Sequence, residues 1–206
     1  MQTATGNNSM IKEIGVIGVG AMGNGIAHVC ALNGYKVSIQ DIKQEFLDKG
    51  LETIQINMTR QVSKGKISEN DMDSALNRIS DTLKIEELSK CDIVIEAATE
   101  NPEIKNSIFK KLSDSCKPET ILASNTSSIS ITKIASETNR PNQVIGMHFM
   151  NPVPIMELVE VIKGKHTSEG ITDTVVELSK SLGKTPVVCN DSPGFVSNRI
   201  LVPMIN

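Results

Sequence analysis

Lys12-Glu13-Ile14-Gly15-Val16-Ile17-Gly18-Val19-Gly20-Ala21-Met22-Gly23 is an apolar run of strand character that enters G-x-G-x-x-G, with a helical pattern directly behind it. Met22, Ile26, Val29, Cys30 and Leu32 recur at helical spacing until Asn33-Gly34 supplies a stop. Gly18 permits the tight turn out of the strand. Gly20 lets backbone approach a diphosphate with no Cβ in the way, and Gly23 lets the helix lie close on the sheet. The helix start, where Ala21 and Met22 stand, offers unpaired backbone N–H groups and the positive end of the macrodipole to an anion. A second strand, Lys36 to Asp41, ends in a carboxylate that can accept from adenosine ribose hydroxyls and repel a 2′-phosphate. Strand, glycines, helix and acid in register predict an NAD site rather than an NADP site. Lys43 lies close to the acid, but no arginine follows it.

The chain has 206 residues, 39% hydrophobic and 22% charged, with a net charge of −3, which gives no electrostatic reason to expect nucleic acid or an anionic membrane as partner. With no Trp, one Tyr and four Phe, base-stacking platforms are not expected either. Cys30, Cys91, Cys116 and Cys189 are scattered with no C-x-x-C pair, and they read as small buried hydrophobes in a protein of the reducing cytoplasm. No metal is expected. Residues 1–9 are small and polar and read as a disordered leader, so the dinucleotide-binding domain is expected over 10–191.

Beyond Asp41 a helical pattern through Phe46, Leu51, Ile54, Met58 and Val62 breaks at Lys64-Gly65-Lys66, and Ser68 starts a second helix as its N-cap. This helical hairpin, about residues 43–78, is expected to project from the regular alternation, its lysines ordinarily just solvated. Strands are predicted at 92–97, 120–124, 144–149, 157–162 and 185–189, and helices from Asn101-Pro102 to Leu112 and over 169–182. The alternation predicts a doubly wound, Rossmann-type, mostly parallel α/β sheet with ligands beyond the C-terminal strand ends.

His148 stands one residue from the end of a strand, because Asn151-Pro152-Val153-Pro154 cannot continue a central strand. Alone, such a histidine is as readily structural. Glu160 lies in an apolar row with Met156, Leu158 and Ile162 on a neighbouring strand, and a carboxylate there needs a partner, for which His148 is the candidate. If the alternation is counted one residue out, Glu160 faces solvent instead. Ser127 follows a strand at the same rim, and Asn198 sits where a turn leads into a new helix. By spacing alone they read as an N-cap and a helix-surface amide.

Five ordered blocks carry a resemblance over nearly the whole chain: the glycine fingerprint, Glu96-Ala97-Ala98-Thr99-Glu100-Asn101, Ser124-Asn125-Thr126-Ser127-Ser128, His148-Phe149-Met150-Asn151-Pro152-Val153-Pro154 with Glu160, and Ser192-Pro193-Gly194-Phe195-Val196-Ser197-Asn198-Arg199. Together they resemble the 3-hydroxyacyl-CoA dehydrogenase family, particularly its bacterial 3-hydroxybutyryl-CoA dehydrogenases. The resemblance implies NAD as cofactor and an L-3-hydroxyacyl-CoA as substrate. It makes His148 the general base and Glu160 its partner, with Ser127 and Asn198 hydrogen-bonding the reacting oxygen. It also assigns Glu100, Lys105, Ser127 and Asn151 to the NAD site, and Asn57, Lys64 and Ser127 to the acyl-CoA, although Asn57 stands where some relatives have serine. Family members form homodimers through a helical domain, of which residues 192–206 would be only the start, so we expect a piece of a longer protein. Gly18 to Gly23 also suits 3-hydroxyisobutyrate-type dehydrogenases, but these use a lysine in place of the His/Glu pair and no matching block is found. A third possibility is an NAD-binding fragment with little activity alone.

Overall fold

The computed structural model describes residues 11–205; the expected leader over residues 1–9 lies outside the described residues. In chain order the elements are β1 (Glu13–Ile17), α1 (Ala21–Leu32), β2 (Lys36–Gln40), α2 (Gln44–Ser63), α3 (Glu69–Leu76), β3 (Ile79–Thr82), β4 (Ile93–Glu96), α4 (Pro102–Ser115), β5 (Ile121–Ser124), α5 (Ile131–Ser136), β6 (Val144–Phe149), β7 (Leu158–Lys163), α6 (Glu169–Ser181), β8 (Thr185–Asn190) and α7 (Ser197–Ile205). Strands with both faces covered read as continuous apolar runs, and β4 and β6 are buried at every position.

The eight strands form one sheet in the order β3-β2-β1-β4-β5-β6-β7-β8. From β3 to β6 all neighbours are parallel, β7 runs antiparallel to β6, and β8 runs parallel to β7. This is the doubly wound order, and it brings the C-terminal ends of β1, β2, β4, β5 and β6 to one rim. Two apolar clusters hold the layers together. One is centred on Ile14, Val16, Ile26, Ile39 and Ile95, and the other on Leu88, Phe109, Leu112, Ile131 and Ile162.

Four features depart from the reading of the sequence. The strand β3 was not anticipated, because Ile79-Ser80-Asp81-Thr82 is short and polar and lies at the sheet edge, where one neighbour suffices. The helix α5 was also missed, its six residues being too few to show a period. The pair α2 and α3 does not project: it forms the crossover from β2 to β3, with Leu47, Ile54, Met58 and Ala75 buried in the core. Its hinge uses Gly65 at φ 65°, and Ser68 and Asp71 cap α3 reciprocally. Finally, Cys30, Cys91 and Cys116 are buried, but Cys189 on the edge strand β8 is only half-buried. No described helix is long and apolar enough to cross a membrane.

Candidate active site

The glycine turn follows β1. Gly18 has φ 81°, and a Cβ there would stand 2.4 Å from the Ala98 Cα, so both conformation and space demand glycine. A Cβ on Gly23 would stand 1.7 Å from the Gly18 carbonyl oxygen, which is the close helix-to-turn approach that the motif requires. Gly20, the N-cap of α1, has nothing within 4 Å of its Cβ position. Its surroundings are an open cleft of about 870 Å³, lined among others by Gly18, Gly20, Ala21, Asp41, Ile42 and Leu83. Met22 is half-buried and packs against the core behind the turn. The Asp41 carboxylate accepts from Val19 N–H at 2.9 Å and from Ile42 N–H at 2.7 Å, so it shapes the turn as well as facing the cleft. Bare backbone, a helix N-terminus and a carboxylate at one cleft suit the diphosphate and ribose of NAD.

Further along the rim, His148 and Glu160 are directly opposed in the antiparallel pairing of β6 with β7. Their Nδ1 and Oε2 atoms are 2.8 Å apart, with His148 8% and Glu160 1% exposed. The second oxygen, Oε1, accepts from Val196 N–H at 3.0 Å and Ser197 N–H at 2.8 Å. Burial alone would raise the Glu160 carboxyl, but the hydrogen bonds from Ser197 N–H, His148 and Val196 N–H together hold it below the usual carboxylate range. An ionised carboxylate only accepts, so the imidazole Nδ1 carries hydrogen and donates in this pair. The Phe195 ring, 2% exposed, lies 6.0 Å from the imidazole at a tilt of 59° and packs beside it.

Ser127 and Asn198 meet. The Asn198 Nδ2 donates to the Ser127 carbonyl at 3.1 Å, and the Ser127 N–H and Oγ both donate to Glu100 Oε1, at 2.8 and 3.0 Å. Ser127 is not an N-cap, since Ser130 caps α5. Glu100 also accepts from Thr126 Oγ1 at 2.7 Å. Burial would raise its carboxyl, but these donors and the nearby Lys105 charge hold it low.

The family model for the NAD-binding domain of 3-hydroxyacyl-CoA dehydrogenase matches residues 13–192. The chain belongs to the 3-hydroxyacyl-CoA dehydrogenase family. A probable 3-hydroxybutyryl-CoA dehydrogenase of Deinococcus radiodurans is 53% identical over 194 residues, which are 94% of this chain and 69% of that protein. The corresponding protein of Bacillus subtilis is 52% identical over 95% of this chain and 68% of its own length. Among solved structures, the (S)-3-hydroxybutyryl-CoA dehydrogenase of Ralstonia eutropha superposes with a TM-score of 0.94 at 49% identity, covering 95% of this chain and 69% of that one. These relatives do not favour the 3-hydroxyisobutyrate-type alternative.

Lys105, Asn57, Lys64 and Asn151, which the family resemblance assigned, are not among the residues that line the glycine-turn cleft. Lys105 is 1% exposed and its Nζ is bound to Glu96, which also accepts from Ala98 N–H at 2.9 Å and Ser124 Oγ at 3.1 Å. A buried lysine needs such a carboxylate, so Lys105 can act at the 3-hydroxyacyl-CoA dehydrogenase cleft only through Glu96 and Glu100. Asn57, half-buried on α2, accepts from Arg60 at 3.4 Å, and Lys64 is exposed at the α2 C-cap; neither lines the cleft. Asn151 is exposed on the loop after β6. Sequence reasoning passed over Phe195 and Asn125, whose Oδ1 accepts from Phe149 N–H at 2.9 Å and fixes the end of the His148 strand. An asparagine one residue beyond a strand is too common a turn residue to have marked it.

Proposed function

We propose that the protein catalyses the reversible, NAD-dependent oxidation of an L-3-hydroxyacyl-CoA, short-chain 3-hydroxybutyryl-CoA above all, to the 3-ketoacyl-CoA. One observation carries the reading: an imidazole held through Nδ1 by a buried carboxylate at 2.8 Å stands on the same strand-end rim as a bare-backbone dinucleotide cradle. NAD, when bound, supplies the acceptor for the C3 hydride. His148 Nε2 accepts the hydroxyl proton, and Glu160 fixes the productive tautomer and stabilises the imidazolium. Ser127 and Asn198 orient the substrate oxygen. Gly18, Gly20, Ala21, Met22, Gly23 and Asp41 hold the cofactor, with Glu100 and Asn151 toward its nicotinamide end and Lys105 acting through its carboxylate neighbours. Asn57, Lys64 and Ser127 are our assignments for the acyl-CoA. We further propose a cytoplasmic homodimer, and no nucleic-acid or membrane partner.

The test is to titrate the chain with NADH, then add acetoacetyl-CoA and follow loss of NADH absorbance, with free keto acids as the control. Turnover confined to the thioester is expected. Equal use of free keto acids would overturn the substrate assignment, and binding without turnover would leave the chain an NAD-binding module.

A further inference from the structure

Two stretches carry the groups around His148: residues 125–131, with Ser127, and residues 191–198, with the N–H donors to Glu160 and with Asn198. They run beside each other over the face that buries Ile131, Ile162 and Phe195. At one end they are joined by the bond from Asn198 to the Ser127 carbonyl. At the other end a single carboxylate joins them. Asp191 accepts from Ser130 Oγ at 2.7 Å, Thr132 N–H at 2.8 Å and Ile131 N–H at 3.1 Å, while its own N–H donates to the Lys163 carbonyl at 3.1 Å. Because β7 and β8 run against β6, this junction lies away from His148, beside the Lys163–Asn190 pairing, whereas Glu160 faces His148 two pairs beyond Gly146–Ile162.

The turn between the two ends is conformationally demanding. Gly194 has φ 73° and Phe195, a residue with a Cβ, has φ 51°. A phenylalanine in the left-handed region persists only where its surroundings over-determine it. Those surroundings are the burial of its ring beside His148, the Glu160 carboxylate receiving the next two N–H groups, and the Asp191 anchor at the start of the turn.

Resting on the function proposed above, we infer that Asp191 is a positioning residue for the oxidation: it fastens the 191–198 turn to the start of α5, and so holds the donors to Glu160, the Phe195 ring beside His148 and the Ser127–Asn198 pair in one arrangement. It touches no substrate and acts through these groups. Replacing it with asparagine keeps size but offers an amide to a set of donors, so at least one backbone N–H at α5 loses its acceptor.

Amide hydrogen exchange on the ligand-free chain tests the fastening, and a fall in kcat at unchanged NADH affinity, which a merely structural anchor would not produce, tests the positioning; a kcat equal to the native one in Asp191→Asn would overturn it. In Asp191→Asn the Val196 and Ser197 amides, protected by Glu160, should exchange about tenfold or more faster, while the amides of β1 and β4 keep their rates. Ser130→Ala, which deletes one donor to Asp191 and the α5 N-cap but leaves the carboxylate, should accelerate the same two amides by a smaller factor and serves if Asp191→Asn does not fold. Unchanged rates at Val196 and Ser197, or an equal acceleration in β1 and β4, would overturn the assignment, since either shows no specific link between Asp191 and the turn. The function reading fails separately: an unmodified chain that binds NADH yet reduces no acetoacetyl-CoA leaves the exchange result standing.

Discussion

Exchanging Glu160 for glutamine probes the site through one atom. In the native arrangement Oε1 receives two backbone N–H groups and Oε2 faces His148 Nδ1 at 2.8 Å. The amide oxygen of glutamine must take the Oε1 position, because the reverse orientation would set its NH₂ against two buried donors, each left unpaired at about 1–3 kcal/mol. The NH₂ group then faces Nδ1 and can only donate. His148 answers by moving its hydrogen to Nε2, the atom that has to accept the substrate proton. Keeping the productive tautomer would oppose two donors and lose a hydrogen bond, a cost of about 2–4 kcal/mol, so we expect kcat to fall about 30-fold to 10³-fold. NADH affinity should not change, since the cradle at Gly18 to Asp41 shares no hydrogen bond with Glu160. Steady-state NADH oxidation with acetoacetyl-CoA measures the rate, and the two imidazole ¹⁵N shifts of the ligand-free chain report the tautomer. A variant that keeps hydrogen on Nδ1, or turns over within about threefold of the native rate, would refute the reasoning.

His148→Gln should lower kcat by about 10²-fold or more with NADH binding retained, and near-native turnover would remove the proposed base. Gly20→Ala should leave the melting temperature unchanged, because nothing lies within 4 Å of the added Cβ, yet weaken NADH binding about tenfold or more, as one methyl inserted into a close contact costs about 1–3 kcal/mol; equal affinity would contradict the cradle. Acid should destabilise the fold in a defined window. Glu160 and Asp191 are both held below their ordinary values in the folded chain, against burial that would raise them, by the hydrogen bonds each accepts. Groups with depressed folded values contribute stability above the unfolded value and lose it as pH falls through the folded one. Thermal melts should therefore fall steeply below about pH 4, and less steeply in Glu160→Gln; a melting temperature that rises on acidification would reverse the argument.

The fold was legible where a residue's neighbours in sequence set its environment. Gly18 and Gly23 announce a turn packed against itself, and the apolar runs of β4 and β6 announce strands covered on both faces. Legibility failed where tertiary neighbours decide. On α2 the apolar pattern includes Phe46 and Leu51, but the structure buries Leu47, Gly50, Ile54 and Met58 and turns Phe46 toward the cleft. A helix with more apolar residues than one face can hold does not reveal which stripe the core takes. Likewise the pairing of His148 with Glu160 followed from a charge that could not stay alone in an apolar row. The bonds from Val196, Ser197 and Asn198 did not, because they depend on how the turn at Gly194 and Phe195 folds back.

That turn makes one physical device appear twice. At Gly20 the start of α1 offers unpaired N–H groups to open space, where a diphosphate fits; at Ser197 the start of α7 offers its N–H groups to a carboxylate already inside the protein. The second anion is resident, so its charge is settled before any ligand arrives, and the imidazole finds an ionised partner whose other oxygen is fully occupied. Glu160 consequently has only Oε2 left for His148. A carboxylate with both oxygens free could rotate and follow the imidazole, whereas this one holds it in place. Deleting the carboxylate altogether, as in Glu160→Ala, should therefore do more harm than Glu160→Gln to stability, since two backbone donors lose their acceptor along with the imidazole, and comparable melting temperatures for the two variants would show that the start of α7 does not depend on this anion.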